Sequence, residues 1–292
     1  MKSLSVVFPA FNEEANIRGV VEDAYRTVPK LAPIFEIIVV NDGSKDSTGE
    51  ICDRLAEEFS DVRVVHHPRN RGYGAALKSG IKLARHDLIF FTDADRQFDL
   101  NEVAALLEQT DAYDIVAGYR ARRQDPPHRL LFGRAWNILV RLVLGIKIRD
   151  INCAFKLFNR HVFDRVQINS VGAMVNTEIF AQVSRFGMTV KEVRVSHFPR
   201  RHGKSTGGNP AVIIKAFREL IKIRRKCYTI TAVIRRVRGL QATRESCDQS
   251  IVAEDPVVEE NISIGEQLSS SKSNSSVTVS NLSHQKAPDD DP

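Results

Sequence analysis

The sequence predicts an α/β fold in which a mostly parallel sheet is flanked by helices. Three observations predict it. Short β-branched apolar runs recur through the first two-thirds of the chain. Stretches with helical apolar spacing lie between them. Polar turns, several of them acidic, follow the apolar runs. Strands that alternate with helices of 10–15 residues imply βαβ units, and ligands of such sheets sit at the carboxyl ends of the strands.

The elements follow in order. Leu4–Phe8 reads as the first strand, with Pro9 as its stop and Asn12 as a helix cap. The first helical stripe is Ile17, Val20, Val21 and Ala24. Phe35–Val40 is the second strand. Ser47 and Glu50 then stand at capping-box spacing before Ile51, Leu55 and Phe59. Val62–Val65 is the third strand, followed by the stripe Leu77, Ile81 and Ala84. Leu88–Thr92, Ile115–Ala117 and Val190–Val195 are the remaining strands. A helix with regularly spaced arginines is expected from about Arg129 to Ile148, and a basic amphipathic one over Ala211–Lys226.

The expected organisation is a catalytic domain over 1–226, a basic amphipathic extension over 227–240 and a disordered acidic tail over 241–292. The tail holds no Phe, Trp or Tyr, and too little apolar surface to offset its ordering entropy. The net charge of +6 conceals opposite halves. Residues 1–240 carry 39 basic and 26 acidic side chains, whereas 241–292 carry three and ten. A basic body suits an anionic partner. Four scattered cysteines without a CxxC pair argue against a disulfide scaffold and a structural zinc site. No stretch reaches the roughly 18–20 apolar residues of a spanning helix, and the start lacks the apolar core of an export signal. The expected location is cytoplasmic, peripheral at the cytoplasmic face of the membrane.

The chemistry concentrates at the strand tips. Pro9-Ala10-Phe11-Asn12-Glu13 follows the first, and Glu13 reads either as a dipole-favoured acid at a helix start or as a site residue. Asp42 leaves the second, in Asn41-Asp42-Gly43-Ser44, where a carboxylate can accept from nucleobase or ribose groups. The fourth tip, Asp93-Ala94-Asp95-Arg96-Gln97, is the most informative. Two carboxylates one residue apart repel unless a cation or hydrogen bonds compensate them. As hard oxygen donors they suit Mg²⁺ or Mn²⁺ on a diphosphate, with Gln97 as a further oxygen. Asn70-Arg71-Gly72-Tyr73-Gly74 opens a helix whose start can attract anions, but it lacks dinucleotide-loop and P-loop spacing. After the last predicted strand, His197 to Gly208 reads as a basic, glycine-rich clamp for phosphates.

Taken together the motifs resemble family 2 glycosyltransferases, and within them the dolichol-phosphate mannose synthase and polyprenyl-phosphate glycosyltransferase group. They are Pro9-Ala10-Phe11-Asn12-Glu13, Asn41-Asp42-Gly43-Ser44-x-Asp46-x-Thr48, Asn70-x-Gly72-x-Gly74-x-Ala76 and Asp93-Ala94-Asp95-x-Gln97. Asp150-x-Asn152-Cys153-Ala154-Phe155-Lys156-Leu157, Glu178 and Arg200-x-x-Gly203-x-Ser205 complete the ordered set, which spans about residues 3–226. The resemblance implies a GT-A fold. It implies inverting, metal-dependent transfer of a mannose- or glucose-type sugar from a nucleotide sugar to a polyprenyl or dolichyl phosphate.

By position, Pro9, Ala10, Glu13 and Asp42 would hold base and ribose, and Asp93, Asp95 and Gln97 the metal and diphosphate. Arg120 and Arg134 would face the acceptor phosphate. Arg200, Lys204 and Ser205 would belong to the closing loop, and Glu178 is the fallback base. Implied partners are the nucleotide-sugar donor, the lipid-phosphate acceptor, an anionic membrane surface and a membrane-anchored protein, with no nucleic acid. A family 2 transferase with a soluble acceptor and a nucleotidyltransferase stand as alternatives. The latter usually places a Gly-rich basic loop after the first strand, where Pro9-Ala10-Phe11-Asn12 stands here.

Overall fold

The computed structural model describes residues 2–121, 127–200, 216–227 and 229, with backbone alone for 127–130 and 132. The expected tail over 241–292 and nearly all of the 227–240 extension lie outside the described residues.

Strand β1 (Leu4–Ala10) is buried at every residue, and so is all but the first residue of β2 (Phe35–Asn41). Runs this apolar on both faces need cover on both sides, as parallel strands between helices have. Together with β3 (Val62–His66), β4 (Leu88–Thr92), β5 (Ile115–Arg120), β6 (Phe155–Asn159) and β7 (Val190–Val195), they form one sheet in the order β3-β2-β1-β4-β6-β5-β7. Only β6 runs antiparallel to its neighbours. The order turns back at β1, between β2 and β4, so the crevice for a ligand opens over the carboxyl ends of β1 and β4.

Side-chain alternation divides the core in two. Leu4, Val6, Phe8, Ile37, Val39 and Phe90 face helices α1 (Ile17–Leu31), α2 (Thr48–Glu58) and α4 (Val103–Leu107). Val7, Ile38, Val40, Ile89 and Phe91 face the other layer. That layer comprises α3 (Tyr73–Leu83), α5 (Pro127–Leu144), α7 (Val175–Phe186) and α8 (residues 216–227). A four-residue helix, α6 (Val162–Arg165), follows β6.

Several expectations are corrected by this structure. β6 is absent from the strands that the sequence predicts, because Lys156 interrupts the apolar run Phe155–Phe158. The lysine is fully buried all the same. Pro9 does not stop β1, which continues to Ala10 beside Asn41. The β4 ladder ends at Val7↔Phe91, so Pro9 lies where β1 has lost one hydrogen-bonding neighbour and a missing N–H is tolerated. Asn12 caps no helix. It sits at φ 55° and accepts from Lys45 N at 2.8 Å, tying the exits of β1 and β2 together. The capping box does not form: Ser47 makes no side-chain cap, and Asp46 accepts from Thr48 N instead. Helix α5 begins at Pro127 and stops at Leu144, because Gly145 takes φ +70° and donates to Arg141 O. No helix among the described residues is long and apolar enough to cross a membrane.

Candidate functional site

The exits of β1, β2 and β4 meet at the crevice. Ala10 O accepts from Asp42 N at 2.8 Å, and Glu13 N donates to Thr48 Oγ1 at 2.8 Å, so the first two exits are locked to each other. Pro9 and Ala10 close β1 as backbone floor. Glu13 is mostly buried and accepts from Asn16 Nδ2 at 2.6 Å. Burial raises its carboxyl above the ordinary 4.5, against the lowering pull of Asn16 and Arg200.

The tip of β4 carries the acidic pair. Asp95 is 3% exposed, and its Oδ1 accepts from Gln97 N at 3.1 Å. The turn between them puts Arg96 at φ +57°, with its guanidinium across Gly19 and on Asp23 at 2.6 Å. Asp93 is largely enclosed, and its carboxyl is driven well above its ordinary value of 3.8. Burial is the main cause and the charge of Asp95 the next, only partly offset by Tyr73, Arg120 and Arg200. The Tyr73 hydroxyl is buried beside Asp93 without forming a well-aligned hydrogen bond. The Arg200 guanidinium offsets the charge of Asp95, whereas burial and the neighbouring carboxylate work against the charged form of Asp93. Hard oxygens, incomplete neutralisation and an open crevice fit a divalent ion that shares its coordination with a diphosphate. Among the described residues no group of three or more His, Cys, Asp or Glu side chains could hold an ion unaided, so other oxygens must complete the shell. Gln97 donates its Nε2 to Phe198 O at 2.8 Å, which leaves Oε1 for any role on a cation.

Arg200 comes to the same place from the segment after β7. Its Nη2 lies 2.6 Å from Asp95 Oδ2 and its Nη1 3.7 Å from Glu13 Oε1. Arg96, Phe198, Pro199 and Arg200 line a cleft of about 310 Å³ there. Arg120, at the end of β5, is gripped by Asp150 through Nε at 2.7 Å and Nη2 at 2.9 Å, which fixes the plane of its guanidinium. Asp150 was not singled out as a site residue; a lone acid just before a buried run was its signal. Lys156 is the other residue missed. It stacks between the Phe91 and Phe180 rings at 5.6 Å from each and donates to Cys153 O. Burial lowers its pKa to about 8.

Other expected site residues make contacts within the protein, stand on α5 or lie outside the described residues. Asp42 turns toward the protein: Oδ1 meets Arg71 N and His67 Nδ1, at 2.9 and 2.6 Å, and Oδ2 accepts from Gly72 N at 2.8 Å. Its evident work is to hold the Asn70–Gly74 turn. The start of α3 is no open anion site, because Val171 O accepts from Gly74 N at 2.9 Å and from Ala75 N at 3.3 Å. Glu178 is 3% exposed and serves as an anchor. Oε2 accepts from Asn169 N and Ser170 N, at 2.8 and 2.7 Å, and Oε1 meets Asn169 Nδ2 and Lys226 Nζ. That geometry favours a structural carboxylate over a base. Arg134 is exposed on α5. Lys204 and Ser205 lie outside the described residues.

The anchored loop decides which residues fit at the turn. A Cβ on Gly74 would stand 2.2 Å from Ser170 O and 3.0 Å from Gly172 O, both backbone atoms. Gly74→Ala is expected to cost about 1–3 kcal/mol, as overpacking does, read as a lower urea midpoint. An unchanged midpoint would show that loop 170–172 yields freely.

Residues 5–167, more than half of the chain, match the family model described as Glycosyl transferase family 2. The chain belongs to glycosyltransferase family 2. A relative from Haloferax volcanii, named Glycosyltransferase AglD, is 35% identical over 207 residues, covering 68% of this chain and 33% of its own length. The undecaprenyl-phosphate 4-deoxy-4-formamido-L-arabinose transferase of Pseudomonas aeruginosa is 33% identical over 204 residues. That match covers 69% of this chain and 59% of the relative. The chain thus spans a third to three-fifths of the length of these family members. The GT-A fold is shared with glucosyl-3-phosphoglycerate synthase from Mycobacterium tuberculosis, solved with Mn²⁺, uridine-diphosphate-glucose and phosphoglyceric acid. The TM-score is 0.60 at 20% identity, over 76% of this chain and 80% of that one.

Proposed function

We propose that this family 2 enzyme transfers a sugar from a nucleoside-diphosphate sugar to a polyprenyl phosphate, with inversion and with a divalent metal, Mg²⁺ or Mn²⁺. The observation that carries the reading is the pair Asp93 and Asp95 at the switch point of the sheet, with Arg200 2.6 Å from Asp95. The relative from Pseudomonas aeruginosa is named for an undecaprenyl-phosphate acceptor. The synthase that shares the fold was solved with Mn²⁺ and a uridine-diphosphate sugar.

Asp93 and Asp95, with Gln97 Oε1 in reserve, would hold the metal, which would supply charge neutralisation on the departing diphosphate. The chain's own residues do the rest. Pro9, Ala10, Glu13 and the Asp42-braced turn form the wall for base and ribose. Arg120, held flat by Asp150, faces the acceptor phosphate, and Arg134 guides that phosphate inward from α5. An acceptor oxygen attacks the anomeric carbon while the bond to the diphosphate breaks. A phosphate is already ionised near neutral pH, so positioning and charge suffice and no base is needed. Incubation with polyprenyl phosphate, Mg²⁺ or Mn²⁺ and each nucleotide sugar should give a lipid-linked product with one of them. Transfer only to water-soluble acceptors would favour the alternative substrate class.

The enzyme meets its acceptor at the membrane through α5 and α8. Both helices bury one face: Val140 and Leu144 from α5, Leu220, Ile223 and Cys227 from α8. Each also presents apolar side chains to solvent. Leu131, Ile138 and Leu142 stand out on α5, Leu142 at 80% exposure, and Phe217 and Ile221 on α8. Trp136 and Phe217 meet edge to face at 5.5 Å, so the two helices are neighbours. Exposed Arg134, Arg141, Arg218, Lys222 and Arg225 share these helices, and each Lys/Arg near an anionic surface contributes about 1 kcal/mol. The protein is expected to float with anionic vesicles and not with neutral ones, more weakly as salt rises. Leu142→Glu with Phe217→Glu should abolish flotation; binding that survives would place the contact elsewhere. Peripheral attachment at the cytoplasmic face, with or without a membrane-anchored protein partner, follows from this reading.

A further inference from the structure

We propose that Lys156 is a positioning residue for the transfer: its buried ammonium closes the Asp150–Cys153 turn and so holds the Arg120 guanidinium in the pose that meets the acceptor phosphate. The proposal rests on the acceptor reading above and adds to it a residue that touches no substrate.

The ladders set this lysine under the site. Lys156 pairs with Phe91 on β4 and with Ala117 on β5, one rung below the Thr92↔Phe155 pair at the crevice end. Its side chain is fully buried between the Phe91 and Phe180 rings. A leucine or methionine would fill such a position without carrying a charge out of water. One carbonyl and two ring faces stand in for the lost water. Burial still lowers the pKa to about 8, while Cys153, Asp150 and Asp93 favour the ammonium and Arg120 opposes it.

The carbonyl that the ammonium meets leads to the site. It belongs to Cys153, whose N donates to Asp150 O at 3.2 Å across the turn. Asp150, at the head of the turn, receives Arg120 through Nε at 2.7 Å, Nη2 at 2.9 Å and the backbone N at 3.4 Å. A bidentate pair fixes the guanidinium relative to the carboxylate, and the turn fixes the carboxylate. Lys156 therefore acts on Arg120 through one carbonyl and one turn. Without the ammonium the buried Cys153 carbonyl loses this donor, and the turn shifts to find another.

The test compares Lys156→Met with the unaltered full chain, with circular dichroism as the check on folding. Farnesyl phosphate is the acceptor probe, in the presence of Mn²⁺ and the nucleotide sugar that supports transfer. In Lys156→Met, kcat/KM for farnesyl phosphate should fall about 10–100-fold, as misplacement of a positioning group does. The affinity for uridine or guanosine diphosphate, read by calorimetry, should stay within about twofold. The thermal midpoint should hold or rise, because a buried charge disappears along with the hydrogen bond. Lys156→Gln keeps an N–H for the carbonyl and should lose less activity than Lys156→Met. In an Arg120→Ala background, Lys156→Met should add less than about a twofold further loss. Phenylglyoxal labelling of Arg120, read by peptide mass spectrometry, needs no substrate and should be severalfold faster in Lys156→Met. A lowered midpoint with unchanged kinetics overturns the proposal, since the lysine is then structural only. Losses that multiply with Arg120→Ala, or equal losses in the Gln and Met variants, overturn the route through the turn. Unchanged labelling of Arg120 overturns it whatever the substrate. No transfer to farnesyl phosphate by the unaltered chain overturns the acceptor reading, a separate failure, and the labelling still decides whether Lys156 holds Arg120.

Discussion

Asp95→Asn is expected to lower kcat/KM for sugar transfer by about 10²–10³-fold, the usual consequence of removing one major electrostatic group from a preorganised site, about 2.7–4 kcal/mol. The substitution is isosteric. The amide oxygen can still accept from Gln97 N, so the turn at Arg96 and the fold should survive. What disappears is the negative charge that Arg200 neutralises at 2.6 Å. It is also half of the charge that the pair offers a cation. The loss should fall mainly on kcat, because the diphosphate carries its additional charge only as the sugar bond breaks. Retained activity in Asp95→Asn, or full activity in excess chelator, would remove the metal from the mechanism.

The sequence disclosed this site through a simple conflict. Two carboxylates at the end of a strand as apolar as Leu88–Thr92 point to a ligand, and Asp93 and Asp95 do lie at that tip, with Arg200 on Asp95 and Asp93 raised by burial. The order of the strands and helices, β6 apart, was legible because continuous apolar runs and period-3.6 stripes are local properties. Three kinds of feature were not legible. Lys156 hid β6, because its cost of burial is met by Phe91, Phe180 and the Cys153 carbonyl, all supplied by the fold and none by sequence spacing. The caps at Asn12 and Ser47 were misread, because the β1 and β2 exits compete for the same donors and acceptors from 33 residues apart. The roles of Asp42 and Glu178 also depend on distant partners. A buried acid at a strand tip or helix start looks the same in sequence whether it faces a ligand or the backbone of another loop.

Glu178 gives the second large effect, on stability. Glu178→Ala strips the acceptor from Asn169 N, Ser170 N, Asn169 Nδ2 and Lys226 Nζ at once, inside the core and at the contact with α8. Removing one partner from a buried, charge-assisted network costs about 3–5 kcal/mol. For a domain of this size that lowers the thermal midpoint by about 6–20 °C. The pH dependence carries the same signature. Burial alone would raise the Glu178 carboxyl, but hydrogen bonds from Ser170 and Asn169 and the charge of Lys226 outweigh it and hold it below 4.5. A carboxyl lowered on folding stabilises the native state fully above its unfolded value and ceases to do so as pH falls through the lowered one. The stability gap between the unaltered chain and Glu178→Ala should therefore be widest above pH 4.5 and should narrow on acidification below it. The donor KM should rise in the variant, because loop 169–172 supports Gly74 and the turn that Asp42 braces. The kcat of the folded fraction should change far less than in Asp95→Asn. The opposite pattern, an unchanged thermal midpoint with kcat reduced a thousandfold or more, would make Glu178 the catalytic base and the anchoring bonds incidental.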